Sequence, residues 1–248
     1  MVDQDTSLFT LDIDGITLET SVTIDFDIDD TLVPFFPSTR GAITVDAENA
    51  EIINRGDISV AGVNTLDETI GFSNDRISAI DAFGAHFTFM NLGSDSSIVS
   101  AGRFAVQQFL GFESDDDGNF LGFTNGTANI VNEGLLESGD DPLRLLNGTV
   151  TNSGTIRSTG EFGFSEFSTP GIASDGIVFL GPDIDGISEA NVTNTASGLI
   201  EGFRSGISQV TTLDNAGTIT GQVTGVWTQR DSQYRSRYIS GCWDDLDE

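Results

Sequence analysis

Residues 21–29, SVTIDFDID, alternate without interruption: Val22, Ile24, Phe26 and Ile28 fall on one face, and Ser21, Thr23, Asp25, Asp27 and Asp29 on the other. A period of two is that of a β-strand with one buried face, and its charged outer face suits a strand at or near an open sheet end. Further along, one phrase recurs six times, as IINRGDI, FMNLGSDSSI, IVNEGLL, VTNSGTI, VTNTASGLI and LDNAGTI, with its asparagine at Asn54, Asn91, Asn132, Asn152, Asn194 and Asn215. Two residues before each asparagine the side chain is apolar: Ile52, Phe89, Ile130, Val150, Val192 and Leu213. Two residues after it stands glycine in five of the six (Gly56, Gly93, Gly134, Gly154 and Gly217); the exception is Ala196, with Gly198 close by. Asn and Gly tolerate positive φ, so each phrase predicts a strand, a sharp corner and a second strand.

Successive asparagines lie 37, 41, 20, 42 and 21 residues apart, and the two shortest intervals set a period of about 20 residues, one coil of a solenoid. Between Asn194 and Asn215 the strand-like pieces surround Leu199 and Ile200, then Ile207, then residues 211–213, so three short strands close one coil. A second anchor, glycine followed by Ile or Val, recurs at Gly176-Ile177, Gly206-Ile207 and Gly225-Val226, with Leu143 in the matching slot. Ile77 and Phe104 are read into the same slot in earlier coils. The long intervals then become corner insertions on an unbroken stack, with 109–127 and 160–173 expected to protrude. Six asparagines at one corner are expected to form a ladder of hydrogen bonds from coil to coil.

Phenylalanine outnumbers Tyr and Trp together by 18 to 4. Phe87, Phe89, Phe104 and Phe179 occupy strand slots and are expected inside, as a stack of rings. Phe120, Phe123, Phe162, Phe164 and Phe167 fall in the insertions, where they fold back over the body or form a patch for a partner. The chain divides into acidic N-terminal strands or a cap (1–40), a parallel β-helix (41–226) and an atypical tail (227–248). That tail holds both tryptophans, both tyrosines, Cys242 and three of the ten arginines, but no copy of the phrase.

The phrases VTNSGTIRS and LDNAGTITG, with the following SDGIVF and TGVW elements, resemble the passenger repeats of bacterial autotransporters and of filamentous-haemagglutinin-like surface proteins. The resemblance spans Asn54 to Val226. It implies a right-handed, single-stranded parallel β-helix, extracellular or on the bacterial cell surface, acting as adhesin, stalk or matrix component through a glycan or protein surface. The chain departs from that family in having no evident signal peptide and no membrane-barrel translocator.

Charge narrows the partners. Thirty-nine acidic residues face ten basic ones, all arginine, for a net charge of −29, which repels nucleic-acid phosphates and anionic lipid. No apolar run is long enough for a membrane helix, so membrane insertion is not expected. His86 is the only histidine and there is no lysine, which excludes His-based triads, two-His metal motifs, Schiff-base chemistry and the P-loop. His86 alternates against Phe87 and Phe89 and is expected on the outer face.

No catalytic residue and no required cofactor is assigned. Asp175, Asp185 and Asp214 are candidates, as acids near strands, for the carboxylate pair of a polysaccharide hydrolase or lyase, which is the alternative reading of this fold. The Asp-rich stretches at Asp12 and Asp14, 27–30, 115–119, and Asp183 and Asp185 compete between solvated acids and calcium sites. Asp115, Asp117 and Asn119 are the best suited to calcium, because they present hard oxygens around a glycine. A second alternative is a self-assembling filament subunit, with copies meeting through the solenoid ends or the aromatic insertions.

Stacked coils bring outward acids of like sign within about 5 Å of one another. Screening should therefore raise the melting temperature from ~0.01 M to ~1 M NaCl. Calcium chloride at matched ionic strength should raise it further if 115–119 bind the ion. A flat response to both salts would contradict the repulsion.

Overall fold

The computed structural model describes residues 9–27, 41–61, 66–67, 72–73, 78–84, 86–101, 104–114, 120–124, 126–160, 174–180 and 189–228. Among them the chain is all β, without a helix. Its strands gather into three parallel sheets, an arrangement consistent with a parallel β-solenoid. The chain visits the sheets in rotation: Phe9–Leu11 in the first, Thr17–Thr20 in the second, Ile24–Asp27 in the third. It then returns to the first sheet at Ile43–Val45, which pairs in parallel with Phe9–Leu11. The rotation continues to Thr224–Thr228, which re-enters the first sheet against Ser205–Val210.

Register follows the apolar positions, because a slip of one residue would turn every inward side chain to solvent. In the second sheet Leu18, Ile52, Phe89, Ile130, Val150, Val192 and Leu213 stand in one column. In the third, Ile24, Ile58, Ile98, Leu136, Ile156, Ile200 and Ile219 do the same. Most of these side chains are buried, each worth about 1.5–3 kcal/mol of transfer free energy. Phe87, Phe89, Phe104 and Phe179 are buried as well. The stacked ring pair is elsewhere, between Phe83 and Phe109, with centroids 4.9 Å apart.

In the first sheet the column runs Ile43, Ile80, Val106, Leu143, Ile177, Ile207, Val226. The slot given to Phe104 therefore belongs to Val106. Phe104 lies two residues earlier and is also buried, so alternation alone does not separate them. Ile80 fills the slot assigned to Ile77, which lies outside the described residues.

Each asparagine of the recurring phrase ends a strand of the second sheet, and the six are joined side chain to side chain. Nδ2 of Asn54 donates to Oδ1 of Asn91 (2.8 Å), Asn91 to Asn132 (2.9 Å), Asn132 to Asn152, Asn152 to Asn194 and Asn194 to Asn215 (2.8 Å each). The same amide nitrogens reach the next coil's carbonyls, at Ser97, Leu135, Thr155, Leu199 and Thr218. Asn54, Asn91, Asn132 and Asn152 are fully buried, so the ladder is internal.

The glycines after them have a different reason from the one expected. Of the five, Gly93 alone has positive φ. The others are needed for contact between coils: a Cβ on Gly134 would stand 2.1 Å from the Ser96 carbonyl oxygen, and one on Gly154 2.1 Å from that of Gly134.

Antiparallel pairs mark two corner excursions. Leu66–Asp67 pairs with Phe72–Ser73 between the third and first sheets, and Gly111–Ser114 with Phe120–Thr124 between the first and second. The second excursion begins after Phe109, which still pairs with Phe83. Phe162, Phe164 and Phe167, and the tail from 229 onward, lie outside the described residues.

Replacing a central rung should cost far more than replacing the last. Asn152→Ala removes the acceptor for Asn132 and the donor to Asn194 inside the stack, a loss of about 3 kcal/mol in urea unfolding. Asn215→Ala, at the last rung, should cost about 1 kcal/mol or less. Equal losses at both positions would mean that the ladder does not couple neighbouring coils.

Candidate functional site

A cluster of buried charged side chains lies at the corner between the third and first sheets. Asp140 and Asp141 precede the strand Leu143–Leu145, and Asp175 precedes Ile177–Phe179 one coil later. Asp175 is fully buried and accepts hydrogen bonds from Arg204 Nε (2.9 Å), Arg204 Nη2, the Ser205 N–H (3.0 Å) and Ser208 Oγ. Its own N–H donates to Asp141 Oδ1 (2.7 Å), and Ser174 Oγ donates to Asp140 Oδ1 (3.2 Å). Burial pushes the Asp141 carboxyl well above the usual range and the neighbouring Asp140 adds to this; the Asp175 N–H and Arg144 pull it back. Arg144 also lies over the Phe104 ring, its guanidinium carbon 5.2 Å from the centroid.

A carboxyl pushed above its usual range beside a second carboxyl held by arginine is an arrangement that acid and base pairs also use. Access decides against that chemistry. Asp175 spends its carboxylate on four donors and has no exposed surface, while Asp141 is 6% exposed. Of the other acids read as a hydrolytic pair, Asp214 is exposed on the outer face of the second sheet and Asp185 lies outside the described residues. Asp175 thus stands at the start of a first-sheet strand and Asp214 within the second sheet.

Asp140 and Asp141 were not singled out in the sequence, and neither was a further buried acid, Asp81. Asp81 points outward from the first sheet, in the column Thr44, Asp81, Gln107, Arg144, yet it has no exposed surface. Neither of its carboxylate oxygens has a partner in hydrogen-bond geometry. Burial raises its pKa from 3.8 to about 7, opposed by the nearby Ser78 side chain and Gly41 backbone. Asp81 stands next to a residue of the Ile column, as an ordinary solvated acid would. Only the closure of this outer face, which alternation does not report, sets it apart.

His86 is exposed, and its Nδ1 accepts a hydrogen bond from the Thr127 N–H (3.0 Å). Asp12 and Asp14 are exposed; Asp14 Oδ1 accepts the Glu48 N–H (3.0 Å). Asp115, Asp117 and Asn119 lie outside the described residues. Among the described residues no group of three or more His, Cys, Asp or Glu side chains is placed to hold a metal.

On the outer face of the third sheet a groove of about 460 Å³ runs over Arg157, Glu201 and Thr220, with Phe203 and Gln222 at its side. Arg157 bridges Glu201 (2.7 Å) and Glu137 (3.5 Å) across three coils, so its charge is already shared. Phe203 packs so tightly on Gly160 that a Cβ there would fall 2.2 Å from its ring.

Comparison of the chain with known protein families, with curated proteins and with solved structures finds no match. The functional reading therefore rests on the chain's own geometry.

The raised pKa of Asp81 fixes the sign of a pH effect. Between about pH 4 and 7 the folded state keeps a proton that the unfolded state releases, so this contribution to stability is full below pH 4 and lost as pH rises through 7. The loss is of order 4 kcal/mol. Asp81→Asn should remove this dependence and raise the melting temperature at pH 8. An unchanged slope of stability against pH in the variant would show that Asp81 is not the group responsible.

Proposed function

We propose that the chain is a non-enzymatic extracellular or cell-surface β-solenoid, acting as adhesin, stalk or matrix component. On this reading the three sheets wind as a right-handed parallel β-helix with coils of about 20 residues. The winding is supported by the strong right-handed preference of parallel crossovers, and the coil length by register partners 20 and 21 residues apart, Asn132 with Asn152 and Asn194 with Asn215.

The observation that carries the functional reading is where the polar groups are used. Buried polar groups, the asparagines and Asp175 above all, are spent on neighbouring coils. What faces outward is columns such as Thr17, Glu51, Thr88, Asn129, Thr149, Asn191 and Thr212, one residue per coil, in which Thr17 also donates to Glu51 and Thr149 to Asn129. A flat rank of hydroxyl and amide groups at strand spacing suits repeated weak contacts with a glycan or protein surface, where many small contacts add through multivalency. A net charge of −29 favours neutral or basic surfaces and disfavours nucleic acid.

The test presents the full chain to immobilised matrix proteins and to neutral and basic polysaccharides, and measures retention and sugar release together. Saturable retention, weakened by Thr149→Glu together with Thr212→Glu and without release of reducing ends, is expected. Release of reducing ends that disappears in Asp141→Asn would overturn the reading in favour of a polysaccharide-cleaving enzyme.

A further inference from the structure

The asparagine ladder has a direction, and its two ends differ chemically. Asn54, Asn91, Asn132, Asn152 and Asn194 each spend Nδ2 on the asparagine and on a carbonyl of the following coil. Asn215 receives Asn194 and the Gly217 N–H on its Oδ1, and its Nδ2 donates to none of the described residues. Among the described residues the stack therefore ends on an amide donor without an acceptor. At the other end the ladder position is held by Thr20, in register with Asn54, which has no amide to continue the row.

Three further features sit at the donor end. Thr212–Asn215 and Thr218–Gly221 are the outermost strands of their sheets, paired on one side, while Thr224–Thr228 already stands one coil further in the first sheet. Among the described residues they form a step to which no further strand of the second sheet is paired. Leu213, last of its apolar column, is half-buried where its neighbour Val192 is 1% exposed, and Val223 and Trp227 are 69% and 44% exposed. Residues 212–228 contain a single acid, Asp214, whereas residues 9–27 contain Asp12, Asp14, Glu19, Asp25 and Asp27.

We propose that this C-terminal face accepts, by strand addition, a segment of a second chain that carries the same phrase, an apolar residue two positions before an asparagine and a glycine two after it. Added in parallel register, the apolar side chain covers Leu213 and the asparagine Oδ1 takes the amide of Asn215. Backbone hydrogen bonds to the exposed edge supply affinity and the asparagine supplies selectivity, as in other strand additions. The inference rests on the register and the ladder and is independent of any role at a cell surface. The peptide titration can therefore fail while retention on matrix stands, and the reverse.

The probe is a fluorescent peptide with the sequence of residues 148–158, GTVTNSGTIRS, titrated with the full chain and followed by anisotropy. Saturable binding is expected. It should be lost when the peptide carries Asn152→Leu. It should weaken about tenfold with Asn215→Asp in the chain, a substitution that keeps the acceptor for Asn194 and Gly217 and turns the donor into a second, negatively charged acceptor facing the peptide's asparagine oxygen. Absence of binding, or binding indifferent to Asn152→Leu in the peptide, overturns the proposal even if Asn215→Asp does not fold.

Discussion

Every coil of this protein depends on its neighbours to satisfy the polar groups it carries inward. A strand of the second sheet has to turn the corner with its end buried, and a buried donor or acceptor without a partner costs on the order of 1–3 kcal/mol. An asparagine at that point supplies one acceptor and two donor hydrogens in a plane, enough to serve its own coil and the next. The glycine two residues later, at every such position but Gly93, follows from the same demand, because the coils must come close enough for amide to meet amide. The aliphatic columns provide most of the burial, but they would tolerate exchange among Ile, Val and Leu. The ladder would not, and it fixes which residue of one coil faces which residue of the next.

Charge is handled by the same neighbour logic. Among the described residues Arg55 meets Glu19 of the preceding coil, Arg157 meets Glu137 and Glu201 on either side, and Arg204 meets Asp175. In a chain with 39 acids and ten arginines, cations placed across coil boundaries relieve repulsion where stacked carboxylates would otherwise face each other. The exposed pairs contribute little individually. Arg204 differs because its partner is fully buried, so losing the arginine would leave an uncompensated charge inside the wall.

The stack was legible in the sequence because its two strongest rules are local. An apolar residue two before each asparagine and a glycine two after it are visible without tertiary information, and they mark the second sheet and its corner. The first sheet was harder to place. Phe104 and Val106 both face inward, and only pairing with Ile80 and Leu143 shows which one stands in the column. The reason for the phrase glycines was missed because close approach between coils is a property of pairs of segments, whereas positive φ belongs to one residue. The burial of Asp81 and Asp175 was not legible for a related reason. Asp81 occupies an outward position, and its burial is imposed by closure of that face. Asp175 carried a weak signal in hindsight, since Arg204 and Ser205 fall at the matching place one coil later.

The direction of the hydrogen bonds also sets how the molecule bears a load. Between parallel strands they lie across the strands, which in a stack of coils means along its axis. A pull along that axis strains the rungs of the outermost coil and spares those deeper in the stack. Resistance then comes from one interface at a time, so coils would peel away in succession at similar force. A pull directed along a strand instead loads all the rungs of that strand together, as in shear. The same wall is compliant when stretched end to end and stiff when dragged sideways.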